Sequence, residues 1–284
     1  MQFEFPGTLA VPDGRYLARD GSGGEQGQRV LVVETDGAPP PPRRRRRVKQ
    51  AEPGEKSASL PLTRVTAVRA QEPFESAEEA SHWLEQTVAA DDSTEAAIDE
   101  AIALLNRALH AQAIASADPS GAELGAGRAA VVRIGHGSGK EVASGRFTEA
   151  KALDARTAGS RRHQRDDQLR PQERVAAVLG GRESLDACES LILRARADLD
   201  AGRRREAALQ LRVGLEAMLV ELDGALADPG HDEDMTELEG RRSEAGAAAN
   251  AALRGDLSVE EEHRVTELVE LCERVLRRRR VLRG

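Results

Sequence analysis

Aromatic residues are scarce in this sequence, which has four Phe, one Tyr and one Trp among 284 residues. A hydrophobic core must therefore be built mainly from Leu, Val, Ile and Ala. Because Ala buries little area, and burial contributes about 25 cal/mol per Å², we expect modest core stabilisation. The length exceeds the roughly 250 residues that one core serves efficiently, so two compact units are predicted.

Cysteines and long apolar runs are also lacking, and each absence removes a class of protein. The only cysteines, Cys188 and Cys272, sit at apolar positions of helical repeats, which excludes a disulfide scaffold. No run approaches the ~18 apolar residues of a membrane span. The start, MQFEFPGTLAV, lacks the features of a signal peptide. We therefore expect a cytoplasmic protein with no membrane partner, and the net charge of -8 argues against a duplex-binding surface over the whole molecule.

The N-terminal region, residues 1–153, has the short alternating segments that are typical of β-strands. Residues 2–35 predict a hairpin or meander, and residues 62–68 predict another strand. Two more strands are expected at 129–134 and 142–148, around a glycine-rich turn. The region therefore predicts a small mixed sheet of five or six strands.

Two helices are predicted between these strands. Ser76 with Glu79, and Asp92 with Glu95, have the capping-box spacing that marks helix starts. The second helix has apolar residues at helical spacing and ends near Asp118, before a proline.

The remaining chain predicts a separate helical domain, so the fold class is α+β. Residues 37–61 are rich in Pro and Arg and are expected to form a disordered loop within the 1–153 domain. Residues 154–170 lack apolar positions and are expected to form a charged linker. The helical domain then covers 171–284, either as a bundle or as a hairpin domain.

Within 171–284, a short helix is expected to begin at Pro171 and to end before Gly180. Two strongly amphipathic helices follow, joined at Asp200 by a connection so short that they must be antiparallel. A weaker Ala-rich helix is expected at 235–253. The last helix opens with Ser258 and Glu261 and carries a stripe of apolar residues: Val265, Leu268, Cys272 and Val275.

The antiparallel pair also carries a resemblance. The segment from Leu191 to Met218 contains Gly202, followed by Glu206-Ala207, Leu211, Gly214 and Leu215. On these residues it resembles one tetratricopeptide-type helix pair, a family that binds peptides and partner proteins through stacked repeats. No second copy follows at the family's roughly 34-residue period, and a plain antiparallel hairpin accounts for the same residues. The chain as a whole resembles proteins without an assigned activity that are common in actinobacterial genomes.

One glycine-rich stretch, VVRIGHGSGK at 131–140, suggests a phosphate loop but lacks the required spacing. Ile134 stands where that loop needs glycine, and Glu141 stands where it needs Ser or Thr for magnesium. A hairpin turn is the expected structure. If the protein is an enzyme, the first candidates for its site are Arg133, His136 and Lys140.

The strongest charge feature is a run of five arginines after four prolines. Such guanidinium groups bind phosphate by counterion release with little sequence preference. They are candidate polyanion contacts: Arg43, Arg44, Arg45, Arg46 and Arg47. A solvated loop is the expected structure, and nucleic-acid binding is the alternative.

No other site emerges from the residues. The six histidines are dispersed without metal-ligand spacing, and the segment DPGHDED at 228–234 lacks the glycine and final Glu of a calcium loop, so a polar helix connection is expected there. No catalytic, metal or cofactor-binding residue is nominated. We expect a non-enzymatic protein-binding or scaffolding module with a protein partner, or a homo-oligomer through the C-terminal helices. The alternatives are an enzyme with a site near 133–140 and a weak nucleic-acid binder.

Overall fold

The chain divides into two compact units, Met1–Arg162 and His163–Gly284. The computed structural model describes residues 1–18, 29–37, 60–70, 73–118, 122–153, 171–224 and 228–283. Both the predicted linker 154–170 and most of the predicted loop 37–61 lie outside these residues. Their disorder and the exact domain boundaries therefore stay predictions.

Unit 1 is built on a six-stranded sheet with the strand order β2-β3-β4-β1-β5-β6. The strands are β1 (Gln2–Pro6), β2 (Gly14–Ala18), β3 (Arg29–Asp36), β4 (Leu62–Arg69), β5 (Val131–His136) and β6 (Glu149–Leu153). With the helices concentrated in unit 2, this arrangement confirms the α+β class.

The strand directions differ from the mixed sheet that the sequence predicts, because every neighbouring pair is antiparallel. Strands β4 and β5 do run in the same direction, but β1 lies between them and pairs with both. Strand order depends on long-range pairing, so local alternation does not reveal it.

Two helices, α1 (Ala77–Ala89) and α2 (Asp91–Ser116), follow β4. The first capping box is confirmed, since the Ser76 hydroxyl accepts a hydrogen bond from the Glu79 amide at 3.1 Å. The second is wrong. Helix α2 begins directly after Ala90, which also ends α1, so Asp92 and Glu95 both lie inside the helix and no side chain caps it.

The core of unit 1 lies between α2 and one face of the sheet. Phe3 of β1 stands opposite Val65 of β4 and Val132 of β5, and all three are fully buried. Leu105 of α2 belongs to the same cluster. Because side chains alternate along a strand, the neighbours of these residues point to the other face, which is called the outer face below.

The connection between β5 and β6 is longer than the predicted hairpin turn. It contains a short helix, α3 (Gly139–Val142), and β6 begins only at Glu149, so the strand predicted at 142–148 is wrong. Residues 137–148, called the strap below, cross the outer face. Gly145 adopts φ +76°, and a side chain there would meet the Thr66 hydroxyl at 2.9 Å.

Unit 2 consists of helices throughout its described residues. They are α4 (Pro171–Leu179), α5 (Ala187–Asp200), α6 (Arg204–Glu221), α7 (Pro229–Gly240), α8 (Arg242–Arg254) and α9 (Val259–Arg283). The single Ala-rich helix predicted at 235–253 is therefore two helices that meet at Arg241.

The DPGHDED segment is also not a connection, because Asp228 caps α7. Its carboxylate accepts a hydrogen bond from the His231 amide at 2.9 Å, and Pro229 takes the first helical position. His231 and Asp234 are buried, the latter beside Arg278 of α9 at 3.0 Å. Because this segment lies at the start of a helix, its polar residues are divided between a buried and an exposed face.

Helix α6 is the centre of unit 2 and packs against α5, α8 and α9. The predicted stripe of α9 is confirmed, since its four residues are fully buried together with Leu211 and Leu215 of α6. Both cysteines are buried, as expected, and both are free. At the α5–α6 contact, a methyl group added to Gly214 would lie 2.8 Å from Cδ1 of Ile192. This close approach needs glycine.

Candidate functional site

The residues nominated for an enzyme site do not converge. Arg133 lies on the outer face of the sheet, whereas His136 lies three residues along the same strand and therefore on the inner face. Lys140 is exposed in α3. The five arginines Arg43–Arg47 lie outside the described residues, so their contact with polyanions stays a prediction.

The outer face carries a polar network that the alternating sequence of β1 creates. Phe3 and Phe5 point to the core, so Gln2 and Glu4 point outward. The pairing register places Gln2 between Thr66 and Arg133, and it places Glu4 opposite Arg64. Five polar side chains from three neighbouring strands therefore meet at the centre of this face.

Gln2 is buried and uses both ends of its amide. Its Nε2 donates to the carbonyl oxygen of Gly145 at 2.6 Å and to the Thr66 hydroxyl at 3.1 Å. Its Oε1 accepts a hydrogen bond from Arg133 at 3.2 Å. A second tie comes from β2, where Arg15 donates to the Ser144 hydroxyl at 2.7 Å. These bonds hold the strap on the outer face.

A shallow depression of about 390 Å³ opens beside this network. Its walls come from the sheet and from the strap, and the lining residues are Gln2, Glu4, Arg64, Arg133, Gly145, Arg146, Phe147 and Ala150. Three arginines thus face one carboxylate. Sequence reasoning nominated only Arg133 of this set, although the alternation in β1 marks Gln2 and Glu4 as outward-facing.

A second cluster joins α1 to the edge of the sheet on the inner side. The Ser81 hydroxyl donates to the Glu149 carboxylate at 2.8 Å, and Nε2 of His136 lies 3.3 Å from the same oxygen and 3.4 Å from the hydroxyl. The hydrogen bond from Ser81, and then that from His136, lowers the pKa of Glu149.

This Ser–His–Glu cluster does not have the geometry of a nucleophilic triad. In such a triad the acid binds one ring nitrogen and the hydroxyl binds the other. Here both groups lie at Nε2, and the hydroxyl gives its proton to the carboxylate. The arrangement ties α1 to β6 and does not activate Ser81.

The thiols of unit 2 are equally unsuited to nucleophilic chemistry. Burial raises the pKa of Cys188 to about 12, and the Glu221 carboxylate adds to the effect. Burial raises the pKa of Cys272 to about 12 as well. Glu221 also accepts hydrogen bonds from the amides of Ala187 and Cys188, so it caps the start of α5 from the end of α6.

The surface of unit 2 has an apolar feature on the side of α6 that faces away from α9. Val213 and Val220 are seven residues apart, hence on one helix face, and they are 56% and 78% exposed. Leu209 and Ala217 lie beside them, each four residues from Val213, and are half-buried because they also pack against the core. These four residues are called the α6 ridge. The apolar spacing in the sequence indicates the buried stripe of α6 alone, so it predicts no role for the α6 ridge.

Neighbouring helices flank the α6 ridge on both sides. On the α5 side, Gly214 contacts Ile192. On the α8 side, Arg242 forms a two-bond ion pair with Glu216, at 2.6 and 2.9 Å. The ridge therefore runs between a close helix contact and a charged rim.

The described residues contain no group of three or more His, Cys, Asp or Glu side chains that could hold a metal ion. Among the helices of these residues, none combines the length and the apolar character that crossing a bilayer requires. Comparison of the chain with protein-family models, with curated proteins and with solved structures finds no match.

Proposed function

We propose that this protein is a non-enzymatic protein-binding module whose helical unit binds a partner through the α6 ridge. The observation that supports the proposal is the exposure of Val213 and Val220 on the outer side of a helix whose inner side is already buried. The outer face of a surface helix is ordinarily polar. An aliphatic row at that place is typical of a surface that a partner covers.

The partner that fits this surface is an amphipathic helix of another protein. The ridge spans twelve residues from Leu209 to Val220, so its ends are eleven helical steps apart, or about 16 Å at 1.5 Å per residue, which matches three turns of a docked helix. Its apolar residues recur every three or four residues, which is the spacing at which the surface of one helix packs against another. The Arg242–Glu216 pair supplies the polar rim of such an interface.

A permanent homodimer fits the α6 ridge less well. A standard interface buries about 800 Å² per partner. Four aliphatic side chains, two of them half-buried, supply only a small part of that area. We therefore assign the ridge to a transient contact with a short helix, and we keep self-association through the C-terminal helices as an outcome of the test.

The test places a photocrosslinking residue at position 213 of the full-length chain and, in a control protein, at position 259. Val259 matches Val220 in exposure, at 77%, but begins α9 and lies outside the ridge. We expect crosslinks from position 213 to one partner segment with apolar residues at helical spacing, and loss of these crosslinks in Val220→Glu. Val259→Glu should leave them unchanged.

Two results would contradict the proposal. Equal crosslinking from positions 213 and 259 would show that the ridge has no preference for a partner. If position 213 crosslinks to another copy of this protein and sedimentation velocity shows a dimer, the ridge binds a second copy and not a helix of another protein.

A further inference from the structure

The depression on the outer face of unit 1 is lined by more positive than negative charge. Arg64, Arg133 and Arg146 face it, and Glu4 is the acidic residue of its lining. Two further acids, Glu34 and Asp36, approach Arg64 at 3.6 and 3.7 Å but do not line the depression. The charge imbalance is therefore local to the depression.

Arg133 is held in place by the protein. Its Nη1 donates to Glu4 at 2.6 Å and to the buried amide of Gln2 at 3.2 Å. Nη1 makes both bonds, so within the described part of the chain the other N–H donors of this guanidinium stay open to a further partner. A fixed guanidinium loses less conformational entropy on binding than a mobile one does.

The other two arginines are less strongly engaged. Arg64 lies 3.6 Å from Glu4, which is beyond hydrogen-bond distance. Its contacts with Glu34 and Asp36 are also longer than a hydrogen bond. Arg146 comes from the strap, is exposed, and has no acidic partner within the described part of the chain. The sheet and the strap thus each present guanidinium donors to one space.

We propose that this depression binds a compact oxyanion of the phosphate class, between Arg133 and Arg64 of the sheet and Arg146 of the strap. Guanidinium groups bind tetrahedral oxyanions through paired, charge-assisted hydrogen bonds. The buried Gln2 amide carries no charge, fixes Arg133, and holds the strap through Gly145. This inference concerns unit 1 and does not depend on the α6 ridge.

The phosphate can be a free ion or part of an organic monoester, and the position of Phe147 separates the two. Phe147 belongs to the lining beside the three arginines. An organic phosphate with a ring can contact it, whereas inorganic phosphate cannot. Phenyl phosphate should therefore bind more tightly than inorganic phosphate if the ligand is a monoester, and equally if it is the free ion.

The first experiment titrates the full-length protein with inorganic phosphate and with phenyl phosphate at constant low ionic strength, followed by NMR. We expect saturable shifts of the Gly145 and Arg146 amide signals. Arg146→Gln should weaken binding by about tenfold, the value of one charge-assisted hydrogen bond. The control is Arg107→Gln, which removes the same charge from an exposed position on α2, on the opposite side of the sheet.

The second experiment uses a substitution that should tighten phosphate binding instead of weakening it. Glu4→Gln removes the carboxylate of the lining while keeping an acceptor for Arg133, and it should tighten phosphate binding severalfold. Glu85→Gln, at an exposed position of α1, makes the same change in net charge and should have little effect. Equal effects of Arg146→Gln and Arg107→Gln, equal effects of the two Glu variants, or shifts that do not saturate would each overturn the proposal.

Discussion

The contacts around two helical glycines predict that replacing each by alanine changes the free energy of unfolding in opposite directions. Gly214 lies inside α6, where an added methyl group would meet Cδ1 of Ile192 at 2.8 Å and Cβ of Leu191 at 3.1 Å. Gly246 lies inside α8, where it would meet Nη1 of Arg212 at 2.6 Å. Ile192 is buried and cannot move aside, whereas the Arg212 side chain is partly exposed and can rotate away.

The expected magnitudes follow from these contacts. Replacing glycine by alanine inside a helix favours folding by about 1 kcal/mol. At Gly214 this gain is outweighed by overpacking, which costs about 1–3 kcal/mol, so we expect Gly214→Ala to lower the free energy of unfolding by about 1 kcal/mol. At Gly246 the gain remains, less a few tenths for the surface pair of Arg212 with Glu216, at 2.9 Å.

Removing the obstructing atom supplies the internal control. Ile192→Val deletes Cδ1 and by itself costs about 1 kcal/mol. In that background, Gly214→Ala should become nearly neutral, so the two substitutions should be coupled by about 1 kcal/mol in a double-mutant cycle.

The measurement is urea unfolding followed by far-UV circular dichroism. Every aromatic residue of the chain lies at or before Phe147, so aromatic fluorescence reports on unit 1 and not on the helices of unit 2. If Gly214→Ala stabilises the protein as much as Gly246→Ala does, the close α5–α6 approach is refuted.

Two further predictions concern the pH response of unit 1 and the arginine run. Because the pKa of Glu149 is lowered from 4.5, its ionised form contributes stability that is present above the unfolded value and lost as pH falls through the folded value. The protection factors of amides at the α1–β6 contact, which correct for the slower intrinsic exchange in acid, should therefore fall below about pH 4.5, and this fall should be absent in Glu149→Gln. For the arginine run, a polyanion-binding role predicts that replacing Arg43–Arg47 by Ser abolishes retention on immobilised DNA and its salt dependence; unchanged retention would exclude that role.

Local signals were sufficient for most of the helices. The Ser258–Glu261 capping box is present, with hydrogen bonds of 2.8 and 3.3 Å, because both partners lie within one turn of the helix start. The apolar stripe of α9 is buried because its spacing places all four residues on one face. Both features depend on contacts of short sequence range, so the amino-acid order is enough to predict them.

Local patterns gave the wrong expectation where a distant segment of the chain supplied the contacts. Leu185 continues the apolar spacing of α5, yet it precedes the helix and is exposed. Arg279 lies near the end of α9, where a cation at the surface would complement the helix dipole. It is instead buried against Asp186, at the start of α5. An ion pair between residues so far apart in the chain leaves no periodic signal.

The candidate sites also depend partly on local alternation, which the sequence shows, and partly on long-range pairing, which it does not. The β1 sequence QFEF determines by alternation that Gln2 and Glu4 share a face opposite Phe3 and Phe5. That Gln2 meets Arg133 and the strap was decided by the pairing of β1 with β5 and by the path of residues 137–148.

The amino-acid sequence by itself determined most of the helices, most of the strands and the apolar faces, because these depend on propensities and periodicities within a few residues. Tertiary structure decided which polar side chains became buried and which apolar ones stayed exposed. Both outcomes depend on the neighbours that each face meets. The depression in unit 1 and the α6 ridge in unit 2 are consequences of that second step.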